Sequence, residues 1–242
     1  MSNYKVIILA AGRGKRLGGD IPKVLQTVAG KPLLAHVLAT FDDLPREDIV
    51  IVVGYKKEDV ISEFPGYTYA VQEEQLGTGH AVRCAEAQLD GFDGTVLVCF
   101  GDSPMMNRRT LESLVSQHVS SANACTILSG ELDEPFGYGR ISRTAAGGFV
   151  EIIEEKDCTP EQRKITEINS GICAFDSKKL FAALQNLKNS NAQGEYYLTD
   201  APAILASTGG SVGIAKIANN GEHLGVNTPE QLAQIEELLS RR

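Results

Sequence analysis

Val6-Ile7-Ile8-Leu9 is an unbroken apolar run that stops at Ala10-Ala11-Gly12-Arg13-Gly14. It reads as a short buried strand. Gly94-Thr95-Val96-Leu97-Val98-Cys99-Phe100 is a longer run of the same kind, with no polar alternation and hence two covered faces. Between and around them lie Asp48–Val53, 67–71 and Cys125–Glu131, which also read as strands. Helix-period stretches separate them, near Leu33–Leu38, Glu58–Phe64 and Ala81–Leu89, and from Asn107, with Leu111, Leu114, Val115 and Val119 on one face. Strand and helix in alternation predict a parallel sheet covered by helices.

The pattern changes after residue 131. Gly137–Arg143, a Gly147-Gly148 turn and Phe149–Glu155 read as a hairpin. Glu167–Phe175 reads as a further strand, and these antiparallel pieces predict a smaller lobe over the carboxyl edge of the sheet. Residues 192–200 lead into a helix ending near Leu205, and Ser211–Ile217 gives another strand. Thr228 and Gln231 pair as a capping box, with Pro229 at the first helical position of a last helix carrying Leu232, Ile235, Leu238 and Leu239.

The first strand ends in two glycines whose freed N–H groups can face an anion. Arg13, Lys15, Arg16 and Lys23 add four cations nearby, which describes a polyphosphate site. Neither common phosphate loop fits. The P-loop needs Gly-Lys followed by Ser or Thr, and Arg16 follows Lys15. The dinucleotide fingerprint needs a third glycine where Leu17 stands and an acid at the end of the second strand, which closes instead in Val53-Gly54-Tyr55-Lys56. The net charge of −8 argues against nucleic acid and makes a local cationic loop more informative. No apolar stretch approaches the ~20 residues that span a bilayer. Met1–Lys5 runs straight into a strand, and five cysteines lie scattered without a C-x-x-C pair. A cytoplasmic chain with reduced thiols, no membrane contact and no implied protein partner is expected.

Other residues carry two readings each. Gln72, Gln75, Gly77 and Thr78 suit the edge of a base through paired amide groups, or Thr78 simply caps a helix. His80 reads as a packed or capping histidine rather than a ligand. Asp102 follows the fourth strand and would share an edge with the cationic loop if both strands are parallel members of one sheet. A carboxylate there would repel a polyphosphate unless a cation intervened, which points to Mg²⁺; the other reading is a turn-forming Asp. Asn227 serves the cap beside it or offers an oxygen to that metal. Glu154, Lys156 and Asn169 suit hydroxyl and amide recognition, or form a solvated hairpin face. No Ser-His-Asp or Cys-His arrangement stands out.

Leu9-Ala10-Ala11-Gly12-x-Gly14 with Pro22-Lys23 resembles the loop of the sugar-nucleotidyltransferase family. Gln75–Ala81, Gly137-Tyr138-Gly139-Arg140-Ile141, Glu167-Ile168-Asn169-x-Gly171 and Asn191–Asp200 narrow the resemblance. They are similar, in order and over nearly the whole chain, to the uridylyltransferase domain of the bacterial bifunctional enzyme that makes UDP-N-acetylglucosamine, a peptidoglycan precursor. The resemblance implies an α/β, Rossmann-like, mostly parallel twisted sheet flanked by helices, with a small antiparallel sugar-binding lobe. It implies one domain over 1–242, with 1–131 mainly binding nucleotide, 132–227 mainly sugar-binding lobe and returning strands, and 228–242 a C-terminal helix. Leu9, Ala10, Ala11 and Gly12 would contact the nucleotide, with Gly14, Arg16 and Lys23 around the phosphates. Gln72, Gly77 and Thr78 would hold the uracil, and Gly139, Glu154 and Asn169 the sugar. Asp102 and Asn227 would bind Mg²⁺ and, with Phe100 and Gly101, also contact substrate, and Arg16, Lys23 and Asp102 would carry catalysis. The implied reaction joins UTP and N-acetylglucosamine 1-phosphate into UDP-N-acetylglucosamine and pyrophosphate. Alternatives are the same chemistry on glucose 1-phosphate or another nucleotide, or a non-catalytic binding module. The family's usual Gly-Thr-Arg-Met is Gly14-Lys15-Arg16-Leu17 here, and Phe100 stands where Tyr is frequent. The bifunctional enzyme continues into a left-handed β-helix that transfers acetyl groups. This chain ends at Arg242, so no β-helix and no acetyltransferase activity are expected.

Overall fold

A computed structural model describes residues 4–18, 20–217 and 221–241. The strands are β1 (Tyr4–Ala10), β2 (Thr27–Val28), β3 (Lys31–Pro32), β4 (Ile49–Val53), β5 (Thr68–Val71), β6 (Thr95–Phe100), β7 (Cys125–Glu131), β8 (Arg140–Arg143), β9 (Phe149–Ile153), β10 (Glu167–Asp176) and β11 (Val212–Lys216). The helices are α1 (Leu33–Ala39), α2 (Lys57–Glu63), α3 (Thr78–Cys84), α4 (Arg108–Ser120), α5 (Ser177–Leu184), α6 (Ala201–Ser207) and α7 (Pro229–Ser240).

The main sheet runs β11-β7-β10-β6-β1-β4-β5, with β8 attached to β10 and β9 to β8. β1 pairs in parallel with β4 and β6, β4 with β5, and β11 with β7. β10 is antiparallel to both β6 and β7, so β7 points the same way as β6. The sheet is therefore mixed and mostly parallel, as expected.

Alternate residues of the central strands feed two cores. Ile7, Leu9, Val50, Val52, Val96 and Val98 pack with residues of α3, α5 and α6. Val6, Ile8, Ala10, Ile49, Ile51 and Val53 pack with α1, α2 and α4. Coverage on both faces is the physical reason these strands carry no polar alternation. A third cluster joins Val28, Leu33, Met105, Val226 and Ile235, and so seats α7 against the β2–β3 hairpin. The Ala29 N–H donates to Glu236 Oε2 at 2.7 Å across that contact.

Three elements differ from the sequence reading. The helix expected over 81–89 starts earlier, as α3 at Thr78, and ends in a separate 3-10 turn over Glu86–Leu89. Glu167–Phe175 does not belong to a separate lobe: β10 runs through the main sheet between β6 and β7, and only its first residues reach β8. Its register shifts between Asn169 and Cys173, where Gly171 adopts φ 85°, so one strand serves two partners. The helix α5 has no counterpart in the sequence reading, although Asp176 caps it by accepting from the Lys179 N–H at 2.9 Å. The hairpin itself forms as expected, from β8 and β9. Among the described residues no helix is long and apolar enough to cross a membrane.

This topology places the site. From β1 the chain moves to β4 and β5 on one side, then crosses to β6 on the other. In open α/β sheets a crevice forms beyond the carboxyl ends where the strand order reverses. The segments after β1, β5, β6, β7 and β11 all leave from that edge.

Candidate active site

A cleft of about 650 Å³ opens along the carboxyl edge. Its walls include Leu9, Ala10, Ala11, Gly12, Arg16, Lys23, Gln72, Gly77, Thr78, Phe100, Asp102, Gly139, Glu154, Asn169 and Asn227, all singled out in the sequence. Gly14 and Gly101 do not line it. Gly14 turns the loop at φ 68°, and a Cβ there would sit 2.9 Å from Lys23 Cβ. Gly101 lies behind the wall, where a Cβ would stand 3.0 Å from Val24 Cγ1.

One end is charged. The Lys23 N–H donates to the Gly12 carbonyl at 3.4 Å and folds the loop back on itself. The Lys23 ammonium then contacts Asp102 Oδ2 and donates to Asn227 Oδ1 at 2.8 Å. Arg16 donates to the same Asn227 oxygen at 3.3 Å. Asp102 is fixed because the Gly101 N–H donates to the Leu9 carbonyl (2.9 Å) and the Val226 N–H to the Asp102 carbonyl (2.9 Å). Asn227 serves the cap beside it and also turns its side-chain oxygen into the cleft. Its N–H donates to Gln231 Oε1 at 2.7 Å within the cap, while its side chain faces Lys23. A carboxylate oxygen and an amide oxygen thus converge on one cationic group, the Lys23 ammonium. Two hard oxygens around a cation are a donor set that fits Mg²⁺ together with substrate phosphates. Among the described residues no cluster of three or more His, Cys, Asp or Glu side chains is grouped for a metal.

The second end presents neutral polar groups. Gln72 is buried, its Nε2 donating to the Gly77 carbonyl (3.0 Å) and lying 3.1 Å from His80 Nδ1. Those contacts occupy the amide nitrogen and leave Oε1 as the acceptor. Gly77 must be glycine: its φ is 114°, and a Cβ would stand 2.6 Å from the Tyr196 carbonyl oxygen. Thr78 does not cap α3, whose N-cap is Gly77; its hydroxyl accepts from the Leu198 N–H at 3.0 Å. His80 is packed, as expected, and burial pulls its pKa down.

The hairpin supplies the third wall. Glu154 Oε1 accepts from the Thr199 hydroxyl at 2.8 Å. Burial pushes the Glu154 carboxyl above its ordinary pKa, against that hydrogen bond, and Asp157, Asp200 and Glu195 push the same way. Asn169 is buried; its Oδ1 accepts from the Gly171 N–H (3.1 Å) and its N–H donates to the Gly139 carbonyl (2.8 Å). Gly171 makes room for Phe100, whose ring would lie 2.7 Å from a Cβ. Lys156 follows the second of its two readings, the solvated hairpin face. It is exposed, it donates to Gln193 Oε1 at 2.7 Å, and it does not line the cleft.

Sequence reasoning gave no role to Thr199, Glu195, Tyr138 or His223, which also line the cleft. The run Asn191–Asp200 was the available signal for the first two, yet no spacing rule links Thr199 to Glu154. Tyr138 and His223 meet edge to face at 6.0 Å. Burial raises the Tyr138 pKa, with Asp102 adding to it, and burial lowers that of His223.

Residues 6–196 match the family described as the MobA-like NTP transferase domain. The bifunctional protein GlmU of Streptococcus suis is 45% identical over 243 residues, covering 100% of this chain and 53% of that protein. The Clostridium botulinum GlmU is 46% identical over 242 residues, covering 99% and 53%. The chain thus spans about half the length of the curated relatives it matches. Among solved structures, a Bacillus anthracis protein described as a glucose-1-phosphate thymidylyltransferase, in complex with a sucrose, superposes with a TM-score of 0.74 at 25% identity. The match covers 97% of this chain and 94% of that one.

Proposed function

Because the chain belongs to the MobA-like NTP transferase family, we propose that it is a cytoplasmic uridylyltransferase. It joins UTP and N-acetylglucosamine 1-phosphate to give UDP-N-acetylglucosamine and pyrophosphate. The observation that carries this reading is the meeting of Lys23, Arg16, Asp102 and Asn227 at one end of a cleft whose other walls are neutral or acidic. Identity of 45% to GlmU over the whole chain supports the choice of nucleotide and sugar.

The chemistry asks little of a base. A phosphate monoester has a second pKa near ~6, so the sugar phosphate is largely dianionic at pH 7. Its oxygen attacks the α-phosphorus of UTP in line, and the bond to the bridging oxygen of the β-phosphate breaks with its electron pair leaving on pyrophosphate. Positioning and charge neutralisation supply the acceleration. Lys23 and Arg16 offset the charge of the departing pyrophosphate. Gln72 Oε1 accepts from the uracil imide N–H, and Gly77 and Thr78 hold the ring's edge. Glu154, Asn169 and the Gly139 backbone take the sugar's hydroxyl and amide groups. Mg²⁺ held by Asp102 and Asn227 would add positive charge beside the reacting phosphates.

Pyrophosphate release with UTP and Mg²⁺ tests the proposal, with N-acetylglucosamine 1-phosphate, glucose 1-phosphate and glucosamine 1-phosphate compared. Preference for the N-acetylated substrate is the expected result. A glucose 1-phosphate preference would favour the second reading, motivated by the name of the Bacillus anthracis structure. Binding without release would make the chain a nucleotide-sugar binding module.

A further inference from the structure

Phe136 is 82% exposed, the most of any large apolar side chain among the described residues, and it stands on the rim of the cleft. A single exposed apolar residue normally asks for no explanation. This one is held in place. It lies between β7 and β8, where the Tyr138 N–H donates to the Pro135 carbonyl at 3.2 Å. The Gly137 N–H donates to Glu155 Oε2 at 3.1 Å, and the Arg140 guanidinium grips the same oxygen at 2.7 Å. The Arg140 side chain is only 2% exposed, so a buried ion pair fixes the turn. Within it Pro135 is buried and Phe136 faces out, the reverse of what apolar burial alone would choose. The turn leads directly into Gly139 and the hairpin carrying Glu154, both of which line the same cleft.

We propose that Phe136 is the apolar platform of the sugar subsite, a contact that rests on the function proposed above. Glu154, Thr199 and Asn169 offer only polar contacts to a sugar. A pyranose also has a face of C–H groups, which needs an apolar surface if it is to leave water. Phe136 supplies that surface at the rim and covers the ring once the polar groups have oriented it. It is therefore a determinant of sugar affinity, with no part in nucleotide binding.

The chain contains no tryptophan, so Phe136→Trp places a single reporter at the rim. UDP-N-acetylglucosamine should shift and change its emission, while UTP alone should leave it unaltered. Phe136→Ala should raise KM for N-acetylglucosamine 1-phosphate about tenfold, as loss of part of a phenyl contact predicts. KM for UTP and the thermal midpoint should not change. Calorimetry of UDP-N-acetylglucosamine on the unsubstituted protein separates the failures. Absence of binding there overturns the proposed function and this contact with it. Binding accompanied by a silent indole in the Phe136→Trp variant and an unchanged sugar KM in Phe136→Ala overturns the contact alone, as does an equal rise in KM for UTP.

Discussion

Replacing Asp102 with Ala separates its two electrostatic effects, because they have opposite signs. The side chains of Asp102 and Lys23 are 15% and 14% exposed, so the pair is only partly desolvated. After substitution Lys23 keeps Asn227 as acceptor, and the folding cost should be about 1–2 kcal/mol, below that of breaking a fully buried pair. The cleft also gains one unit of positive charge facing the triphosphate. At about 6 Å and an effective dielectric of about 40, that change attracts UTP by roughly 1.4 kcal/mol, or about tenfold in affinity. Turnover moves the other way. The variant lacks the carboxylate oxygen proposed to hold Mg²⁺, and kcat should fall by about 10³ or more. The assays are calorimetric UTP binding in EDTA, pyrophosphate release with Mg²⁺, and a denaturation curve. Near-normal kcat in the folded variant would refute the metal assignment. Weaker UTP binding in EDTA would refute the charge argument, since it would mean that Asp102 assists the anion directly.

Gly77→Ala should cost about 3 kcal/mol or more, since a φ of 114° combines with a Cβ placed 2.6 Å from a backbone oxygen; chemical denaturation measures it, with UTP binding lost in parallel. Glu154→Gln keeps an oxygen for the Thr199 hydroxyl and removes an acid whose pKa burial raises. The native state holds that proton more tightly than the unfolded chain. The wild type therefore loses stability as pH rises from the ordinary glutamate value of about 4.3 through the raised one. Melting curves across pH should show the Gln variant at or above wild type at pH 7, with the difference fading below pH 4, while KM for the sugar phosphate rises. Tyr55→Phe removes the hydroxyl that donates to Asp20 Oδ1 at 2.7 Å at the far end of the cationic loop, where Lys56 also holds Asp20 at 2.9 Å. Steady-state kinetics should show a higher KM for UTP with kcat unchanged, and the melting temperature should not move.

The division between what was and was not legible follows from the range of each interaction. Strands buried on both faces write themselves into the chain as apolar runs, so β1, β4 and β6 and the edge they share could be placed, and with them Gly12, Lys23 and Asp102. Local caps are equally visible, as Thr228 and Gln231 show, although the local sequence does not reveal that the Asn227 side chain meets Lys23. β10 was misplaced because its direction is decided by partners distant in sequence. Its apolar second half suits a central strand as well as an edge, and the shift at Gly171 leaves no periodic mark. That one strand has a functional consequence. Inserted antiparallel between β6 and β7, it brings its own beginning, with Asn169, to the edge where the parallel strands end. It thereby attaches the β8–β9 hairpin, and Glu154 and Phe136, beside the loops proposed to hold the nucleotide. A parallel strand in the same position would present its C-terminal residues there and carry Asn169 to the opposite edge. The mixed character of the sheet is therefore what brings the proposed sugar wall and the proposed phosphate loop to one cleft.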